Sequence, residues 1–175
     1  MTPARPPEAW LRGPIEGVPP HLMPVFHSFA MVREDLSYYT DGLTTEDVWR
    51  RTESLPSLGF HLRHIAHSVD RLVTYLCGNQ LSEAQIATLK RETEPGAETL
   101  AELLGEVDEK LSDAERRIRT IEPGMLNEPR YIGKKRLPST VLGLLVHVAE
   151  HTQRHLGQAI TTAKLAREAQ EELGR

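Results

Sequence analysis

The chain has 175 residues, 39% of them apolar and 26% charged, in keeping with one globular domain long enough to bury a core. A net charge of −4 argues against a surface built to hold nucleic acid or an anionic membrane, and no run approaches the ~20 apolar residues of a bilayer span. The single cysteine, Cys77, leaves no internal disulfide and fits a reducing cytoplasm; the N-terminal stretch lacks the apolar core of a secretory signal.

Residues 1–20 carry Pro3, Pro6, Pro7, Pro14, Pro19 and Pro20. That density blocks a helix and predicts an extended arm, anchored by Trp10 and Leu11, ahead of a domain over residues 21–170. Leu22, Val25, Phe29, Val32, Leu36 and Tyr39 then alternate spacings of three and four, the stripe of a first buried helix, with Gly42 as its stop. A short helical turn is expected over Thr45 to Arg50. Ser57 is placed to cap a second long helix whose seam is Leu58, Leu62, Ile65, Val69, Leu72 and Leu76, with Gly78 and Asn79 ending it.

Ser82 to Gln85 has the form of a capping box opening a short helix toward Arg91. A third long helix follows, with Leu100, Leu104, Val107, Leu111, Ala114, Ile118 and Ile121 on one seam and charges behind it. Pro123, Gly124, Pro129 and Gly133 mark residues 122–138 as a connecting loop in which Lys134, Lys135 and Arg136 form a solvated basic patch. The last helix is expected to start near Pro138, a residue favoured in a first turn, with Ser139 also available as a cap, its stripe on Leu142, Leu145, Ala149, Leu156 and Ile160 and a fraying charged end. No strand is predicted. Four amphipathic helices with short extra ones predict an all-α four-helix bundle.

Six of the eight histidines fall in two segments, His61, His64 and His67 on the second long helix and His147, His151 and His155 on the last. A step of four residues turns a helix by only about 40°, so the second set forms one slowly turning stripe able to place two imidazoles on one metal ion. Taking about 100° per residue, His61 lies ~60° from its helix's seam, His64 ~120° and His67 nearly opposite, so His67 is expected to be exposed. The last helix's histidines lie roughly 140° to 220° from its Leu142–Ile160 stripe, an awkward direction for a site inside a bundle. Leu144, Val148 and Val141 widen that helix's apolar arc and allow a second cleft.

His147-Val-Ala-Glu150-His151 also spells the inverted zinc-protease signature, with glutamate as general base. It would need a further ligand downstream and a peptide cleft, for which a small helical chain has little room.

With the helices and both clusters in place, the chain resembles the DinB-like superfamily of metal-binding four-helix bundles over roughly residues 20–165. The resemblance rests on FHLRHIAHSVDRLVTYL, with its His-hydrophobic-Ala element and Asp70-Arg71, and on LLVHVAEHTQRHLGQAI. It implies a divalent metal (zinc, nickel or iron) held by His64, His151 and His155. His61 and His147 are extra to the pattern and are left as replacements or supporting groups. Three neutral imidazoles leave open positions, as in catalytic sites. Some relatives are S-transferases using low-molecular-weight thiols such as bacillithiol or mycothiol. The resulting expectation is a cytoplasmic metal-dependent enzyme, a thiol S-transferase on a small-molecule substrate, binding neither nucleic acid nor membrane and forming a homodimer. The alternatives are a non-catalytic, stress-related metal or small-ligand binding module and a plain helical interaction protein.

Overall fold

Capping chemistry sets the helix boundaries in this computed structural model, which describes residues 5–51, 55–172 and 174; Pro3 of the arm lies outside them. The long helices are α1 (Met23–Thr40), α3 (Leu58–Leu76), α5 (Leu100–Ile118) and α6 (Val141–Glu172), with α2 (Thr45–Trp49) and α4 (Glu83–Arg91) as short ones. Ser57 accepts from the Phe60 amide to start α3, and Ser82 with Gln85, like Thr99 with Glu102, closes a reciprocal capping box. At the other end of α3, Gly78 takes φ +81° and the amides of Gly78 and Asn79 reach back to Tyr75 and Thr74, which satisfies the last carbonyls.

The central helix is α3. It packs against α5 on one side and α6 on the other, while α1 lies mainly on α6 and, less extensively, on α5. The core runs through Phe29, Leu36, Leu62, Ile65, Leu103, Leu111, Ile118 and Val148. Because α1 and α3 both cover α6, its buried side chains span a wide arc: Val141, Leu144, Leu145, Val148, Thr152, Leu156, Ala159, Ala163 and Ala166. Gly59 lets α2 close on α3: a Cβ there would come within 2.7 Å of the Trp49 ring.

Four expectations are corrected. The stripe of α6 is centred on Val141, Val148 and Ala159, whereas Leu142 is 46% exposed. Sequence periodicity could not choose between two apolar arcs on a helix covered from both sides. In the connecting loop, β1 (Pro129–Ile132) pairs antiparallel with β2 (Leu137–Thr140). Pro129 and Pro138 masked that hairpin, yet proline is tolerated where a two-stranded ribbon has free edges. Helix α6 accordingly begins after Pro138, with the Thr140 hydroxyl accepting from the Gly143 amide, and stays helical to Glu172. In the arm, a 3₁₀ turn over Ala9–Leu11 turns Ala9 inward and leaves Trp10 and Leu11 exposed, so Ala9 and Val18 are the anchors.

Candidate metal centre

Three imidazoles meet in the groove between α3 and α6. One ring nitrogen from each of His64, His151 and His155 lies within 4.8 Å of the others, and no further histidine, cysteine or carboxylate joins them among the described residues. The His64 and His151 Nε2 atoms are 3.0 Å apart, and the His64 ring centroid is 4.1 Å from that of His155. Around the true stripe of α6, centred near Val141 and Ala159, His155 lies only ~40° away, His151 ~80° and His147 ~120°. That progression places the first two in the groove and carries the third out of it. His147 is 45% exposed and pairs with Glu150 at 2.7 Å, which in turn receives Arg154.

Glu92, the residue ending α4, gives the site its polarity. Its carboxylate is buried, 2.8 Å from His64 Nδ1, and accepts both terminal nitrogens of buried Arg71 at 2.9 and 3.3 Å. Burial alone would raise this carboxyl, but the hydrogen bonds from His64, His67 and Arg71 outweigh it and hold it well below the usual carboxylate range. Glu92 therefore stays ionised and accepts a hydrogen bond from His64 Nδ1, which turns His64 Nε2 toward His151 and His155. A carboxylate behind a metal-binding imidazole orients the ring and raises its basicity.

The other two triad members suit a cation as well. Burial, with the neighbouring His64, lowers both His151 and His155 to about 4, so near neutral pH both carry a free lone pair. Their Nδ1 atoms are buried without hydrogen-bond partners among the described residues. Phe60 stacks on His64 with centroids 5.6 Å apart and planes 20° from parallel, which restricts that ring. Beside His155, a cleft of about 450 Å³ opens between α3 and α6.

The structure thus brings together the three histidines His64, His151 and His155 and leaves His61 and His147 outside the cluster. Against expectation, His67 is not exposed: it sits 2.9 Å from Glu106 and 3.5 Å from Glu92. Burial would lower it, but those two carboxylates dominate and push it up to about 9. Asp70 and Arg71 do not act as a pair, since Asp70 reaches Gln85 of α4 while Arg71 reaches Glu92. Glu92 itself was missed. The only signal was a general one, that a ligating imidazole wants a carboxylate on its second nitrogen, and nothing local marks Glu92 among the chain's 25 acidic residues.

Residues 28–159 match the family model described as the DinB superfamily, which covers both histidine segments and Glu92. The chain belongs to that superfamily. No curated protein matches it. Fold and site together define an all-α bundle of the DinB type with a histidine cluster able to hold a metal ion.

Proposed function

We propose that the protein is a metal-dependent enzyme whose centre is His64, His151 and His155, and that it transfers a low-molecular-weight thiol to a small electrophile. The observation that carries this reading is a cluster of three imidazole donors with no fourth described donor beside an open cleft. Zinc, nickel and ferrous iron all suit three imidazoles. Once bound, such an ion would lower the pKa of a coordinated thiol and so supply a nucleophile near neutral pH.

The chain's own residues do the rest. His151 and His155 are neutral near pH 7, so a bound ion could take one lone pair from each as the proton moves to the other ring nitrogen, and Glu92, locked by Arg71, holds His64 through Nδ1. Phe60 closes one face of the site against water. The reading places the protein in the cytoplasm. Among the described residues no helix is long and apolar enough to cross a membrane. It also makes the protein a homodimer, with the outward Leu142 and Val146 of α6 as the natural contact.

The test is elemental analysis of untagged protein, repeated on a His64→Ala/His151→Ala double variant, followed by thiol-consumption assays with alkylating electrophiles. We expect one metal per chain, none in the variant, and metal-dependent loss of free thiol. Metal in the double variant would refute the site. Stoichiometric metal without transfer from any bacterial thiol would refute the chemistry and leave a metal-binding module.

A further inference from the structure

The metal reading leaves one buried imidazole without a task. His61 is 3% exposed, and its ring makes no hydrogen bond among the described residues. A neutral imidazole carries one donor and one acceptor, and enclosing either without a partner is unfavourable. The ring centroid lies 6.1 Å from that of His155, and both side chains line the cleft between α3 and α6. Nδ1 is the fully enclosed nitrogen. An enclosed lone pair is a smaller loss than an enclosed N–H, so the proton belongs on Nε2, the nitrogen left to meet the cleft.

The remaining walls say what kind of molecule would meet that donor. Leu55, Pro56 and Phe60 make one side apolar, and Arg154 with Gln158 makes the rim polar. Arg154 is 58% exposed and gives one terminal nitrogen to Glu150 at 2.5 Å, and no other described residue engages its remaining donors. The charge of Glu92 is taken up by Arg71, so a divalent ion held by the three imidazoles would add uncompensated positive charge at the inner end. The cleft, about 450 Å³, falls in the range of small-molecule sites.

We propose that this cleft binds a small carboxylate with an apolar body, and that His61 donates a hydrogen bond to the carboxylate oxygen. His61 is then a substrate-contacting residue rather than a spare ligand. The inference deepens the enzyme reading by naming the class of the acceptor, and it rests on the metal centre only for the added positive charge.

Benzoate is the probe, titrated calorimetrically into metal-loaded and metal-free full-length protein. His61→Leu should weaken benzoate binding by about tenfold or more, whereas His61→Gln, whose amide nitrogen falls near the position of Nε2, should stay within about threefold of wild type. Both variants should keep their metal. Malate, a carboxylate without an apolar body, should bind more weakly than benzoate.

Equal benzoate affinity in wild type and His61→Leu would overturn the proposal, as would loss of metal in His61→Leu, which would make His61 a ligand. Malate binding as tightly as benzoate would overturn the apolar half of it. Wild-type protein that takes up no metal yet binds benzoate through His61 would sink the metal reading alone. If His61→Leu fails to fold, the ¹⁵N resonance of His61 Nε2 in wild type decides: it should shift on adding benzoate, and an unmoved resonance would overturn the proposal.

Discussion

Helices α3 and α6 each carry three histidines, yet they use them differently. On α3 the spacing of three turns successive side chains by about 60°, so His61, His64 and His67 fan out into three environments. His61 is enclosed without a partner among the described residues and lowered to about 4 by burial and by His64; His64 faces the cluster; His67 is caged by two carboxylates and raised to about 9. On α6 the spacing of four turns by only about 40°, and neighbours His151 and His155 stay in one groove. One helix therefore supplies a single donor with carboxylate support, and the other supplies a pair with none. The same side chain titrates in opposite directions within two turns of one helix, because its environment and not its identity sets the balance.

The largest effect that would break this comparison is on metal affinity. His64→Ala or His151→Ala should each cost about 10²-fold or more, read by competition with a chromogenic chelator, since a third of the donors is removed. If His64→Ala retains wild-type affinity, α3 is not a donor helix at all. Glu92→Gln comes next. It should lower metal affinity by about 10- to 100-fold, by loosening His64. It should also destabilise the metal-free protein by about 3 kcal/mol in urea denaturation, because Arg71 is left buried without its counter-charge. An equal loss in a Glu92→Gln/Arg71→Met double variant would show that the pair contributes packing only.

A pH series on chelated protein sharpens the contrast inside α3. His67 lies above the ordinary imidazole value, so its stabilisation is complete below about 6.5 and fades as pH rises through about 9. His61, His151 and His155 lie below it, so their contribution is complete above about 6.5 and fades as pH falls toward about 4. Melting temperature should therefore drop at both ends. His67→Gln should remove the alkaline limb and keep the acid one; an unchanged alkaline limb would mean that some other group causes it. The smallest effect belongs to His147→Ala, which should change metal affinity by less than about twofold, since that side chain answers to Glu150 at the surface.

How much of this was legible in the residues differs from element to element. The seams of α1 and α3, the Ser57 cap, the Ser82–Gln85 box and the glycine stops at Gly42 and Gly78 all act within one or two turns, and the chain states them directly. The turn angles of the two histidine runs are equally local, but alone they favoured His61 over His64, and the family resemblance singled out His64, His151 and His155. What local pattern could not supply was direction across the bundle. On α6 the expected Leu145 and Leu156 are buried but Leu142 is not, because α1 and α3 both cover the helix and only their packing decides where its apolar arc is centred. His67 was expected in solvent because Glu106 and Glu92 reach it from α5 and from the end of α4.

The sequence by itself therefore determined the helices, their ends and the two histidine runs, since spacing and capping depend on neighbours a few residues away. Only the tertiary structure decided that Glu92 stands behind His64, that Arg71 holds Glu92, and that His61 is left facing a cleft. Those pairings join residues far apart in the chain. They depend on how whole helices are set against one another, which no single stretch of sequence encodes.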